Sequence, residues 1–327
     1  MTRRLTAEVE SWPLARPFAI SRGVKTQADV VVARITEGAV TGWGECVPYP
    51  RYNESVEGVA ADMEKLTPAV AEGMDREYLL GALHAGAARN ALDCALWDLE
   101  AKQSGKRVWQ LAGIDAPTSY VTAETIGIGS VDEMADAATR LKSAPLIKVK
   151  LDGQLVMERM QVIRDHAPSS RLIIDPNEGW TIDQLKDVAP KLADLGVEMI
   201  EQPIPAGLDD GLTAYDPPIP ICADEACHTS ADLDGLKGKY QMINIKLDKT
   251  GGLSEALKLA RLATEAGFDI MIGCMVGTSL AMAPAVLLGG HAEFVDLDGP
   301  LLLKQDRGGG LTFRDGYVHP PEASLWG

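Results

Sequence analysis

The order of apolar and polar positions divides the chain into three textures. Residues 1 to about 47 read as strands: Leu5 to Trp12 alternates, and Asp29-Val30-Val31-Val32-Ala33-Arg34-Ile35 is β-branched and apolar before a Glu37-Gly38 turn. A three-stranded antiparallel sheet is predicted. Pro17-Phe18-Ala19-Ile20-Ser21-Arg22-Gly23 is expected to form a loop with one cation between the first two strands. Gly42 to Tyr52, rich in Gly, Pro and aromatics, is expected to be an ordered, packed loop. From about Ser55 to Ser104 the period turns helical. Within Ala87 to Lys102, Leu92, Leu96 and Leu99 recur at i, i+4 and i+7, with Asp93 and Asp98 on other faces. That segment reads as a core helix in which Cys94 and Trp97 pack.

After Pro117 strands alternate with helices. Strands are predicted near Ser119 to Thr125, Leu146 to Leu151, Leu172 to Asp175, Glu198 to Glu201, Pro220 to Asp224, Met242 to Lys246, Asp269 to Gly273 and Phe294 to Asp296. The fold class is α/β: a (β/α)8-type barrel with an N-terminal α+β capping domain completed by the C-terminal tail. An open doubly wound sheet is the alternative. The expected division is 1-117 as the cap, with 300-327 returning to it, and 118-299 as the barrel carrying the site.

Composition narrows the class. The 327 residues are 46% hydrophobic and 24% charged, an ordinary packed globular balance. With 31 basic and 47 acidic side chains the net charge is −16, which disfavours nucleic acid and anionic membranes as partners. The five cysteines, Cys46, Cys94, Cys222, Cys227 and Cys274, form no CxxC pair. Reduced thiols, the lack of an export signal and the lack of a membrane-spanning run predict a cytoplasmic protein. The sequence leaves a homo-oligomer open.

The candidate chemistry sits at predicted strand ends, where a barrel of this kind builds its site. In Leu146-Ile147-Lys148-Val149-Lys150-Leu151 the two lysines share a face. Each ammonium disfavours the other's charge, which moves a lysine toward use as a base at neutral pH; an edge strand with solvated lysines is the plainer alternative. The next three strands end in Asp175, Glu201 and Asp224. Clustered carboxylates repel, and a hard divalent cation with oxygen ligands resolves that repulsion, Mg²⁺ first among them; helix capping is the competing use of such acids. Asn177 reads as a support for Asp175 or its loop. The sixth strand ends in Lys246, across the mouth from Lys150. A metal flanked by two lysines can move a proton on and off one carbon from either face.

The set Lys148-x-Lys150, Asp175, Glu201, Asp224 and Lys246 resembles the enolase superfamily in its muconate-lactonizing subgroup, over nearly the whole chain. The resemblance implies that the three acids bind Mg²⁺. It makes Lys150 and Lys246 the acid/base pair around an enediolate, with Lys148 supporting Lys150 and the substrate carboxylate. Asp296 and Asp298 fall on one face at the end of the eighth strand and resemble the Asp-x-Asp of dipeptide epimerases, which holds a substrate α-ammonium. Arg22, with Gly44 to Tyr52, is similar to bacterial L-Ala-D/L-Glu epimerases, where an arginine binds the glutamate side-chain carboxylate. The implied activity is inversion of the C-terminal α-carbon of a dipeptide such as L-Ala-L-Glu by two-lysine 1,1-proton transfer, serving cell-wall peptide recycling.

Three readings compete: another dipeptide specificity, a cycloisomerase or o-succinylbenzoate synthase on the same framework, or a non-catalytic metal-binding barrel. None of His84, His166, His228, His291 and His319 falls at a strand end suited to dehydration chemistry. Gly277 stands where relatives often carry Glu, a departure that bears on the pocket.

Overall fold

The computed structural model describes residues 2–327. It opens with an antiparallel sheet of β1 (Arg4–Ile20), β2 (Gly23–Glu37) and β3 (Val40–Cys46), in the order β1-β2-β3. Two stretches expected as loops are strand. Pro17 to Ile20 continues β1 after a register shift between Pro13 and Phe18, so that Phe18 pairs with Lys25 and Ile20 with Gly23. The irregularity absorbs Pro17, which has no N–H for a ladder, and leaves Ser21 and Arg22 as a tight turn. Gly42 to Cys46 is likewise part of β3. Its glycines mark a close helix rather than a flexible segment: a Cβ on Gly42 would lie 2.2 Å from the Ala95 carbonyl, and one on Gly44 2.4 Å from that of Ala91.

The helix pressed on them is α4 (Ala87–Ser104), reached through α1 (Val56–Glu64), α2 (Thr67–Ala71) and α3 (Arg76–Ala82). Leu92, Leu96 and Leu99 join Val31, Ala33 and Ile35 in one buried cluster. Asp93 and Asp98, which periodicity places off the apolar face, are nevertheless fully buried. Asp93 accepts from the Ser254 N–H and hydroxyl, and Asp98 from the Trp43 N–H, Lys102 and the Gly327 N–H. They are satisfied because α4 is covered on several sides, which periodicity alone does not report. The tail also reaches this helix, since Trp326 Nε1 donates to the Cys94 carbonyl and Trp43 Nε1 to that of Leu325.

The short α5 (Val108–Ala112) leads to β4 (Tyr120–Val121) and β5 (Glu124–Ile126). The strand expected at Ser119 to Thr125 is thus divided. Thr122 and Ala123 bridge to the last barrel strand, whereas β4 pairs antiparallel with a strand of the tail. Then follow α6 (Val131–Arg140), β6 (Leu146–Lys150), α7 (Val156–His166), β7 (Arg171–Asp175), α8 (Ile182–Asp194), β8 (Val197–Glu201) and β9 (Ile221–Ala223). Next are α9 (Leu233–Leu236), β10 (Met242–Ile245), α10 (Leu247–Thr250), α11 (Leu253–Glu265), β11 (Asp269–Ile272), α12 (Ser279–Val286) and β12 (Phe294–Val295). The tail adds β13 (Phe313–Arg314) and β14 (Tyr317–Val318), which form a three-stranded sheet with β4.

Strands β5 to β12 form one eight-stranded parallel sheet in sequential order. A parallel bridge from Thr122 to Val295 joins its ends into a barrel. No helix among the described residues is long and apolar enough to cross a membrane.

Inside the barrel, Ala123, Leu146, Ile173, Met199, Cys222, Met242, Met271 and Phe294 form a buried plug. Side chains on a strand return to the same face every second residue. Two steps up from that plug the inner surface reads Thr125, Lys148, Asp175, Glu201, Asp224, Asn244, Gly273 and Asp296. The apolar floor therefore gives way, within one repeat of the pleat, to a charged layer.

Candidate active site

Lys148 stands at the centre of that layer. Its ammonium is 2.6 Å from Glu201 Oε2, 2.7 Å from Asp296 Oδ2 and 3.4 Å from Asp175 Oδ2. Burial opposes its charge, but Asp296, Glu201 and Asp175 more than offset that, and its pKa lies well above the ordinary lysine value. The expected depression by a neighbouring lysine is thus overridden by the attraction of these three carboxylates.

Lys150 lies 2.5 Å from Asp175 Oδ2, and Lys246 lies 2.6 Å from Asp224 Oδ2 and 3.7 Å from Glu201 Oε1. Burial lowers the Lys246 pKa, and Asp224 and Glu201 raise it further than burial lowers it. Among the acids, burial raises all three. The lysines nevertheless hold Asp224 well below, and Asp175 below, the ordinary carboxylate value. Glu201 ends above its ordinary value, because burial and the Asp175 charge outweigh Lys148 and Lys246. Lys150, Lys246 and Asp224 all line one cavity at the barrel mouth.

Several residues of the site escaped the sequence reading. Lys249, fully buried at the end of α10, donates to the carbonyls of Asp224, Cys227 and Asn244, and its ammonium is 2.7 Å from Asp224 Oδ1. Asn244 Nδ2 donates to Glu201 Oε1 at 2.8 Å. Gly273 leaves room for it, since a Cβ there would meet Asn244 Oδ1 at 2.5 Å. The signal for Asn244 was available, because it sits two residues before Lys246 on one strand. Gln202 receives the N–H groups of Asp224 and Ala226 on Oε1. Asn177, Glu178 and Gln202, just beyond β7 and β8, adopt positive φ of 47°, 66° and 32°, local strain of the kind that clusters at functional sites. Tyr52 reaches the cavity from the cap with its buried hydroxyl unpartnered.

The other predicted residues are placed as follows. Asn177 donates its N–H and Nδ2 to the two oxygens of Asp175, at 2.8 and 2.9 Å. Asp296 is engaged by Lys148, and Asp298 accepts from the Thr125 N–H at 2.8 Å. Burial and the charge of Asp296 push Asp298 up to about 7. Neither aspartate lines the mouth cavity. Arg22 does line it, but its guanidinium is 2.7 Å from Glu225 and 3.3 Å from Glu178, and it donates to the Tyr49 hydroxyl. Gly277 faces a cap residue: a Cβ there would lie 3.0 Å from Glu45 Oε1, which accepts the Thr278 N–H.

No three acidic, thiol or imidazole groups converge on one point among the described residues, because the acids turn toward lysines. Their oxygens nonetheless fit a hard cation. Glu201 Oε2, Asp224 Oδ1, Asp296 Oδ1, Asn244 Oδ1 and Asn177 Oδ1 are buried and accept no aligned hydrogen bond. An all-oxygen set with unused lone pairs suits Mg²⁺ better than a softer metal.

Residues 3–113 match the family described as mandelate racemase / muconate lactonizing enzyme, N-terminal domain, and residues 131–324 match enolase C-terminal domain-like. Two characterised relatives are similar over nearly their whole length. L-Ala-D/L-Glu epimerase of Escherichia coli (strain K12) is 49% identical over 95% of this chain and 97% of its own. N-acetyl-D-glutamate racemase of a Pseudoalteromonas species is 47% identical over 91% and 95%.

Among solved structures, an Agrobacterium tumefaciens enolase family member with homology to dipeptide epimerases, holding sodium and L-Ala-L-Glu, superposes with a TM-score of 0.97. It is 49% identical and covers 99% of this chain and 100% of that one. Dipeptide epimerase from Methylococcus capsulatus, complexed with Mg and L-Arg-D-Lys, gives a TM-score of 0.90 at 32% identity, covering 98% of both chains.

Proposed function

The chain belongs to the enolase superfamily, through the mandelate racemase / muconate lactonizing family, and on that premise we propose a Mg²⁺-dependent epimerase of acylated glutamates, with L-Ala-L-Glu and L-Ala-D-Glu as the dipeptide pair. One observation carries the reading. Lys150 on β6 and Lys246 beyond β10 enter the same cavity from strands four apart, with the Glu201 strand between them. Proton transfer to and from one carbon on opposite faces needs two bases so disposed.

Asp175, Glu201 and Asp224 would hold the Mg²⁺, which when bound supplies positive charge against the substrate carboxylate. Lys150 and Lys246 do the proton work. One takes the α-proton of the C-terminal residue on its Nζ; the other gives a proton from its Nζ to the opposite face, and the reverse direction exchanges their roles. A lysine acts as base only once neutral, so Lys246 has to leave its 2.6 Å contact with Asp224 before it can serve. Lys148 stays charged among three acids and steadies the layer. Asp296 Oδ1 has no partner and is the acceptor offered to a substrate ammonium. The working units are the cap, 1–117 with 300–327, and the barrel, 118–299. The five free cysteines fit a reducing cytoplasm.

A second reading has its own support. Lys148 already holds Asp296 Oδ2 and the Thr125 N–H already holds Asp298, so a substrate without a free ammonium, such as N-acetylglutamate, leaves only the single oxygen Asp296 Oδ1 unmatched. Incubation with Mg²⁺ in deuterium oxide separates the two. Deuterium at the α-carbon with inversion of L-Ala-L-Glu supports the dipeptide reading, and faster inversion of N-acetyl-L-glutamate supports the second. Inertness toward both overturns the proposal.

A further inference from the structure

The turn that carries Arg22 carries a second cation three residues on. Lys25 pairs with Phe18 across the β1–β2 hairpin, and the hairpin end is fastened to the barrel because the Ile128 N–H donates to the Ala19 carbonyl at 2.9 Å. Lys25 therefore has a defined place over the mouth, and it lines the same cavity as Arg22, Lys150 and Lys246.

The two cations differ in what they already hold. Arg22 is committed to Glu225 at 2.7 Å, Glu178 at 3.3 Å, the Tyr49 hydroxyl and the Asn177 carbonyl. The Lys25 ammonium stands 4.9 Å above the Tyr49 ring and has no hydrogen-bond or ion-pair partner among the described residues. Asp29, the one acid that acts on it, does so from a distance and is itself bonded to Ser11 and Gln27. Burial and the Arg22 charge both bear against the Lys25 cation. A cation that is partly desolvated, beside a like charge and without a counter-ion is stabilised by an anionic ligand more than one already paired.

We propose that Lys25 is a specificity-determining residue that receives the side-chain carboxylate of the substrate's C-terminal residue, while Arg22 is held by Glu225 and Glu178 as a strut of the same subsite. The inference rests on the epimerase reading and deepens it. It makes selection for an acidic side chain a property of the hairpin position 25, separate from the proton-transfer lysines below.

The test compares L-Ala-L-Glu with its neutral isostere L-Ala-L-Gln, using wild-type enzyme and the Lys25→Ala, Lys25→Arg and Lys25→Glu variants. The readout is the ratio of kcat/KM for the two dipeptides. Lys25→Ala is expected to lower kcat/KM on L-Ala-L-Glu about 10- to 100-fold, mainly through KM, the range for losing one charge-assisted hydrogen bond. Turnover of L-Ala-L-Gln is expected to change less than about two-fold, and that arm reports that the variant is folded. Lys25→Arg should keep the preference, and Lys25→Glu should move it toward L-Ala-L-Lys. An unchanged Glu-to-Gln ratio in Lys25→Ala, with a collapsed ratio in Arg22→Ala, overturns the inference and returns the role to Arg22. Wild-type enzyme that exchanges deuterium into neither dipeptide overturns the epimerase reading itself, a result distinct from either.

Discussion

Lys246 and Asp224 stand 2.6 Å apart across the strand pair β9–β10, an ion pair that joins a proposed base to a proposed metal ligand. The same arrangement recurs on the other flank, with Lys150 at 2.5 Å from Asp175. Under the proposed mechanism, each lysine has to give up its contact with the carboxylate beside it before it can take a proton.

Replacing either lysine should separate the two halves of the reaction. Lys150→Ala and Lys246→Ala are each expected to lose inversion by about 100-fold or more, the lower end of what a positioned general base contributes. Each variant should retain α-deuterium exchange from the one stereoisomer that faces its surviving lysine. Proton NMR in deuterium oxide, run from both isomers, checks this; inversion at the wild-type rate in both variants would sink the two-base scheme.

Chelation should abolish turnover, and Mg²⁺ should restore it. Binding only to the folded chain also raises stability, by about 2.7 kcal/mol when the free metal is 100 times its Kd. A thermal melt that rises with Mg²⁺ in wild-type protein and stays flat in Asp224→Asn would assign the ligand independently of activity.

Lys249 is a stability prediction. Its ammonium is fully buried and bonded to three carbonyls beside Asp224. Lys249→Met keeps the length and removes the charge, leaving those acceptors and one Asp224 oxygen bare. Breaking a buried pair in this way costs about 3–5 kcal/mol, read as a lowered urea midpoint with an unchanged slope.

Stability should also depend on pH through Asp248. Its carboxylate oxygen accepts the Val47 N–H and Asn90 Nδ2, joining the cap to the barrel, and burial pushes its pKa up to about 7 from an ordinary 3.8. The folded chain therefore holds this proton more tightly than the unfolded chain. The associated stability is full below about pH 4 and is lost as pH rises through about 7, on the order of 4 kcal/mol in all. Asp248→Asn keeps the accepting oxygen and should flatten that part of the profile; a profile as steep as wild type would assign the slope to other groups.

The charged layer at the barrel mouth was legible in the sequence because period-two alternation and strand-end position are local properties. Lys148, Lys150, Asp175, Glu201, Asp224 and Lys246 could be found by counting along single strands. What the sequence did not reveal depends on approach between distant segments. Gly42 and Gly44 look like loop residues until α4 is seen resting on them. Asp93 and Asp98 look solvated until Ser254 and Gly327 are seen to cover them. Lys249 looks like a helix-terminal surface lysine until its three carbonyls come from two separate strand ends. Charge partners had the same effect on the lysines: sequence neighbours suggested mutual repulsion, whereas partners 25 to 148 positions away supply the dominant attraction.

The closure of the barrel at Thr122 and Val295 sets an order of events for folding. Asp296, the next residue, is the partner of Lys148 from 148 positions away. Until the eighth strand docks, the ammonium on the second lacks one of its counter-charges and faces a seam open to water. Contacts so distant in sequence form slowly, because the loop entropy is spent before the contact returns anything. The seam between first and last strands is thus expected to close late in assembly, and a chain halted before it would carry the Lys148 ammonium on an open edge.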